Sequence, residues 1–393
     1  MNKIFKKDID TLPFIYKELY SPFNDKGIPN SLPFELQIDD VIGLLKQKPN
    51  DMVKINLEKA YRQGSIVGGV ITDDSENIKY ANDFIEFFLD SIERNLLKDM
   101  NILEIGSGTG LLLSQIKNYC HNVIGVEPGA HCLKAKEKYN VNVIHDFFPT
   151  NHIKGKFDVI IMSIVLEHFE NPSSFLNLLS KYLNSDGLII LSVPDVEPFI
   201  LSGDISMLFH EHYSYFTNKS LNNLIIKSGY RICNKSKSSY GGLLYRSISI
   251  EQKLELSEED YKIAYKESND FFVKSKEKLD SLKSFLNKIV EDDLSLGVYV
   301  PSRFLNILFT SKIEIKKLRF FDDNPEIKNK FYAGFDIKIE NKVDLIKEPT
   351  DIVLIFSHSF GKIIRDNIIN NLPNQTKIIV WEELFSNKEL EKL

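Results

Sequence analysis

The stretch LEIGSGTGL, residues 103–111, decides the fold. A short apolar run ends in glycines at alternate positions, Gly106, Gly108 and Gly110, and the chain continues as GLLLSQIKNYC, which reads as a helix. Glycines between a strand and a helix permit a tight turn and let a ligand approach the backbone closely. The same alternation continues on both sides. MNILEIG, NVIGVEP, VNVIH, FDVIIMSIV and GLIILSVP read as strands, while AHCLKAKEKY and PSSFLNLLSKYL read as helices. The strands are continuous apolar runs, the pattern of strands covered on both faces. They predict a doubly wound parallel sheet.

At 393 residues the chain exceeds one ordinary core, so two domains and a smaller piece are expected. Residues 1–78, broken by Pro13, Pro22, Pro29, Pro33 and Pro49, read as an irregular N-terminal region. NDFIEFFLDSIERNLL, residues 82–97, reads as an amphipathic helix that opens a domain spanning 79–235. Residues 236–393 read as a C-terminal α/β domain. It has a charged helical segment over 258–291, then LGVYV, KLRFFDD, DIVLIFS and KIIVW as strands. The expected fold is α/β: a central Rossmann-like sheet and a second, smaller Rossmann-like domain joined by a helical segment.

Composition excludes several classes. Net charge is −6 with mixed signs, so no basic footprint points to nucleic acid. The longest apolar runs are too short to span a bilayer, and the first residues show no apolar signal core. Three widely spaced cysteines, Cys120, Cys132 and Cys233, offer neither a CxxC zinc knuckle nor a disulfide framework. A cytoplasmic enzyme, monomeric or homodimeric, with a small-molecule substrate and no metal is the expectation.

Two cofactors use a glycine loop in this place. Dinucleotides favour G-x-G-x-x-G, but here the third slot is Leu111 and the spacing is G-x-G-x-G. Glu104 two residues before the loop would face a pyrophosphate badly. It suits a cation, such as the amino group of S-adenosylmethionine (SAM). Glu127, with Pro128 at the tip of the second strand, can accept both ribose hydroxyls of either cofactor. Asp146 and Phe147, after the third strand, could hold and cover an adenine. The pattern favours SAM over NAD.

These motifs resemble those of the class I SAM-dependent methyltransferases. LEIGSGTG matches their first motif, VEP their second, and FDVIIMSIVLEHFENP their later strand and its continuation, across about residues 80–235. The resemblance implies that Gly106, Ser107, Gly108, Gly110, Ser163 and Ile164 line the cofactor site and that His168 lies close to it.

HEHYSYF, residues 210–216, follows the strand GLIILSVP after a short excursion, on the carboxyl side of the sheet where ligands bind. His210 and His212 lack a third ligand at metal-binding spacing. Histidine suits the acid/base work that methyl transfer to oxygen or carbon needs. HEHYSYFTNKSLNNLIIKSGY with YGGLLYRSISI resembles the sugar C-methyltransferases that act on nucleotide-linked 4-keto-deoxysugars, and LGVYVPSRFLNILF, FFDDNPEIKNKFYAG and IVLIFSHSF extend the likeness to residue 393. That resemblance implies His212 as base, Glu211 as its partner and Tyr61 as a phenol near the enolate oxygen. It points Tyr213, Tyr215, Tyr240, Gly241 and Gly242 toward substrate. Asp322, ending the second strand of the C-terminal domain, is expected to face the nucleotide. The chain departs from the family in lacking cysteines before Cys120, where the family has a four-cysteine zinc domain. Tyr240 and Tyr245 replace a His and an Arg, and Ser359 replaces an amide. O-methylation of a sugar or other metabolite, or SAM binding without catalysis, are the alternatives.

Overall fold

The structure is a computed structural model, and it describes residues 9–14, 29–62, 75–250, 254–325, 327–332, 334–357 and 361–386. Ser359 and residues 63–74 lie outside the described residues. The chain divides into two compact units. One is Glu35–Ile200 with His210–Asp270; the other takes the described parts of Met1–Phe34, Leu201–Phe209 and Phe271–Leu393.

The first unit holds a seven-stranded sheet. Its strands are β1 (Asn101–Ile105), β2 (Asn122–Glu127), β3 (Val143–His145), β4 (Phe157–Ser163), β5 (Leu183–Pro194), β6 (Tyr230–Lys237) and β7 (Gly242–Ser249). In space they run β3-β2-β1-β4-β5-β7-β6. The five strands β1 to β5 are parallel, as the apolar runs predict, while β7 pairs antiparallel with both β5 and β6. The sheet is therefore mixed. The expected boundary at 235/236 falls inside β6, whose hairpin partner β7 belongs to the same sheet, and the first unit runs on to Asp270.

Side chains along β4 alternate between two cores. Val159 and Ile161 pack with Phe84 and Phe88 of α2 (Ser75–Ser91) and Leu112 and Ile116 of α3 (Leu111–Ile116). Ile160 and Met162 pack on the other face with Leu176 and Leu179 of α4 (Pro172–Leu179) and Leu224 of α5 (Asn218–Lys227). This period-two division follows from strand geometry. Helix α2 starts before residue 82 and ends at Ser91, and Arg94–Leu97 forms a separate turn. The N-terminal region is not irregular throughout, because Asp51–Arg62 forms helix α1. Asn50 caps it by accepting from the Met52 and Val53 N–H groups. Val53, Leu57 and Ala60 form its buried stripe.

The second unit has a five-stranded, all-parallel sheet. Leu296–Tyr299, Leu318–Phe321, Ile339–Glu340, Ile352–Ile355 and Lys377–Val380 are β8 to β12, in spatial order β10-β9-β8-β11-β12. Four of these strands are expected from the sequence; the two-residue β10 is not. Leu201–Phe209, expected inside the methyltransferase domain, belongs with this unit. The Trp381 indole donates to Asp204 at 2.8 Å, Lys278 pairs with Asp204 at 3.2 Å, and Asn306 donates to the Leu208 carbonyl. Helix α6, Glu258–Glu291, is continuous over the expected helical segment. Among the described residues no helix is long and apolar enough to cross a membrane.

Candidate active site

A cavity of about 790 Å³ opens in the first unit at the carboxyl ends of β1, β2 and β4. The glycine loop forms one wall. Gly106 adopts φ +72°, and a Cβ there would stand 2.4 Å from Val165 Cγ2, so only glycine fits. Gly108, at φ +53°, faces open space, leaving its backbone accessible to a ligand. Ile164, also on the wall, has φ +56°, a strained conformation for a β-branched residue. Its N–H donates to the Ser192 carbonyl at 2.9 Å.

Glu104 lines the cavity, is 2 % exposed, and has one carboxylate oxygen, Oε2, with no hydrogen-bond donor. Burial, and then the nearby Glu127 charge, push its carboxyl up to about 8. A buried, partly unsatisfied acid beside an open glycine loop is complementary to a cation. Glu127 accepts from the Gly129 N–H at 2.7 Å and the Gly108 N–H at 3.0 Å, and His131 approaches at 3.4 Å. Its carboxylate is thus aimed across the loop. Ser107, Pro128, Phe147 and Ser163 also line the cavity. Gly110 is the turn residue at φ +86° before α3. Asp146 departs from expectation. It is not on the cavity wall, and both its oxygens are used in its own turn, by the Phe147 N–H at 2.8 Å and the Thr150 hydroxyl at 2.6 Å.

Acid/base groups gather on the facing wall. The Tyr61 hydroxyl, at the end of α1, donates to Glu211 Oε1 at 2.5 Å. His168 Nδ1 lies 3.2 Å from the Glu211 carbonyl and 3.8 Å from Glu211 Oε1, and Nε2 lies 3.7 Å from Glu167 Oε1. Burial opposes charge on His168, but the Glu211 and Glu167 carboxylates outweigh it and hold its titration above the ordinary imidazole value. The His212 ring lies 5.2 Å from that of His168, edge to face. Tyr61, His168, Glu211 and Tyr213 line the cavity; His212 stands next to that wall, half-buried. Among the described residues, Glu167, His168 and His212 offer possible metal-ligand atoms within 4.8 Å of one another. We read the group as a proton-transfer cluster.

Residues 75–234 match a family described as "Methyltransferase domain". They are a methyltransferase domain, and its cofactor is SAM. The methyltransferase chain is 24 % identical to the C-methyltransferase NovU of Streptomyces niveus over 314 residues, covering 74 % of each chain. It is 26 % identical over 129 residues to the mitochondrial ubiquinone biosynthesis O-methyltransferase of Schizosaccharomyces pombe, covering 30 % of this chain and 46 % of that one. A solved SAM-bound magnesium protoporphyrin IX methyltransferase from Synechocystis PCC 6803 covers 50 % of this chain and 97 % of its own. Its identity is 14 % and its TM-score 0.40.

The remaining expected substrate positions divide. Tyr213 is on the wall, its N–H bonded to the Glu167 carbonyl at 2.8 Å. Tyr215 is corrected: it is wholly buried in a two-residue strand paired with Leu45 and Lys46, so it packs and does not face the cavity. Tyr240 is exposed at the β6–β7 turn, with Gly241 at φ +83°, and neither lines the cavity. Gly242 abuts the Tyr80 hydroxyl, which a Cβ would meet at 3.2 Å. Tyr245 bonds Asn218 and Asn222 inside the first unit. Asp322 lies in the second unit, where its Oδ1 accepts the Asn324 N–H at 2.9 Å. Sequence reasoning missed Glu167 and Tyr80. Tyr80 lines the cavity and joins Ser192 at 3.0 Å, which in turn joins Ser163 at 3.1 Å. The sequence signal for Glu167 is its place beside His168 in FDVIIMSIVLEHFENP.

Proposed function

We propose that this methyltransferase methylates carbon, on a keto-deoxysugar linked to a nucleotide, through an enolate. The observation that carries the reading is the array of Tyr61, Glu211 and His168 at one wall of a cavity whose other wall is the glycine loop with Glu104, with the His212 ring 5.2 Å from that of His168 just behind that wall. Similarity to NovU along most of the chain supports carbon as the acceptor. In this reading the second α/β unit takes the nucleotide, with Asp322, directly after β9, as the proposed contact.

The residues fit SAM. Glu104 would hold the cofactor's cationic end, Gly108 would give backbone access, and Glu127 would take the ribose hydroxyls. When bound, the cofactor supplies a methyl group on positively charged sulfur. The protein's task is then to make a carbon nucleophilic. His212 takes the proton from the carbon beside the ketone, and the C–H electron pair moves toward the carbonyl oxygen. A hydroxyl donor in reach of that oxygen stabilises the charge it gains, and Tyr61 is the candidate. In the ligand-free protein Glu211 accepts the one hydrogen of that phenol, so Tyr61 must turn it from Glu211 to the substrate oxygen when the ketone is bound. A ketone is required for this chemistry; a hydroxyl substrate needs only a base.

The test is product analysis with ¹³C-methyl SAM and a panel of nucleotide-linked 4-keto-deoxysugars. A carbon-bound labelled methyl group supports the proposal. A labelled methoxy group identifies an O-methyltransferase and removes the need for an enolate. No product with any ketosugar, alongside turnover of an unlinked metabolite, would discard the sugar.

A further inference from the structure

We propose that Glu167 is a positioning residue that keeps His168 as an imidazolium between two carboxylates, and so leaves His212 neutral and able to accept a proton. The inference rests on the proposed role of His212 as base and adds a residue to it. Glu167 is 1 % exposed, does not line the cavity, and neither of its carboxylate oxygens has a hydrogen-bond donor. A buried carboxylate without donors is costly unless a cation stands beside it. The nearest candidate is His168 Nε2, 3.7 Å away.

The geometry of the imidazole is favourable. Nδ1 already faces the Glu211 carbonyl at 3.2 Å, so that nitrogen carries a hydrogen. Nε2 faces Glu167. As a neutral ring with its lone pair on Nε2, His168 would oppose an acceptor to an acceptor. As an imidazolium it directs one N–H to each side. Glu167 and Glu211 both act to hold that charge, and burial opposes it. Burial raises the Glu167 carboxyl to about 7, and the His168 charge offsets part of that rise, so the imidazolium is what favours the carboxylate form. Each packed element contributes to this environment. Tyr80 of α2 feels the Glu167 charge, Glu211 and His212 come from the HEHY segment, and Tyr61 of α1 acts through Glu211.

The consequence falls on His212. A second positive charge about 5 Å from a standing imidazolium is disfavoured. His168 is therefore the fixed cation and His212 the base. The Glu167 backbone ties the same parts together: its carbonyl accepts the Tyr213 N–H one residue past His212.

The test is an NMR pH titration of the full chain labelled with ¹⁵N-histidine, in chelator. His168→Asn and His212→Asn variants assign the two rings among eight histidines. At pH 7 His168 should be charged and His212 neutral. Glu167→Gln should lower the His168 midpoint by about one pH unit or more and raise that of His212. Glu167→Asp, which keeps the charge, should restore both. With substrate, the acid limb of kcat/KM in Glu167→Gln should move to higher pH, a shift that a merely structural residue would not cause. Unmoved midpoints in a folded Glu167→Gln protein would overturn the proposal. If that variant does not fold, a wild-type His168 that is neutral at pH 7 overturns it alone. Stoichiometric zinc that abolishes both titrations in the absence of chelator would replace it with a metal centre. The titration needs no substrate, so a wrong sugar assignment leaves its outcome intact.

Discussion

Replacing Glu104 with glutamine should uncouple cofactor binding from pH. In the ligand-free protein the buried Glu104 carboxyl sits at about 8 instead of 4.5, from burial and from Glu127. At pH 7 it is therefore about nine-tenths protonated. Holding a cationic ligand requires the carboxylate, so binding should release about 0.9 proton at pH 7 and affinity should rise about tenfold from pH 6 to 7. Above pH 8 the ligand's own amine titrates and the rise stops. Calorimetry with S-adenosylhomocysteine in two buffers of different ionisation enthalpy measures the proton count directly. Glu104→Gln should reduce it to near zero. It should also weaken binding by about 2 kcal/mol or more, roughly 30-fold, because a buried charge pair has lost one partner. The folding linkage has the opposite sign. The folded carboxyl is raised above its unfolded value, so the folded state holds the extra proton. Stability of the ligand-free protein falls as pH rises from about 4.5 to about 8. Glu104→Gln should thus melt higher than wild type at pH 8 without ligand. Wild-type binding that releases no proton at pH 7, or a glutamine variant with unchanged affinity, would refute the reasoning.

Glu127→Ala should weaken S-adenosylhomocysteine by about 1.5–3 kcal/mol, since charge-assisted hydrogen bonds to the ribose are lost; calorimetry reads the change. Gly106→Ala should lower the melting temperature by several degrees, because its Cβ would meet Val165 at 2.4 Å and φ is +72°. Val165→Ala in the same chain should recover the part due to the clash, and no recovery would assign the whole loss to the backbone angle. Asp322→Asn should raise KM for a nucleotide-linked substrate and leave S-adenosylhomocysteine affinity unchanged in the full chain; an unchanged KM would reduce the second unit to a scaffold.

The parallel half of the first sheet is legible because each strand is a short apolar run buried on both faces, as Phe157–Ser163 shows. The antiparallel hairpin is not. Tyr230–Lys237 is a sheet-edge strand, YRICNKSK, whose last residues are exposed and polar, and nothing in its pattern announces pairing. Helix α1 was hidden by the prolines before it, although Pro49 and Asn50 form a start signal. In the site, Glu104 and Glu127 are legible because strand ends next to a glycine loop have a fixed place. HEHYSYF gives its residues but not their directions. Tyr213 reaches the cavity and Tyr215 packs inside, a difference set by pairing with Leu45 far away in sequence. Glu167 and Tyr80 escape notice for the same reason: burial and the lack of donors exist only once the chain has folded.

The most direct test of the enolate is hydrogen exchange at the carbon to be methylated. The protein loaded with S-adenosylhomocysteine, which has no methyl group to give, is mixed with the nucleotide-linked ketosugar in D₂O, and the α-hydrogen signal is followed by NMR. The account predicts protein-dependent loss of that signal, and its fall by on the order of 10²–10⁴ in rate in His212→Asn. Methylation of that substrate by wild type with no exchange of any carbon-bound hydrogen, and the methyl group found on oxygen, would contradict it.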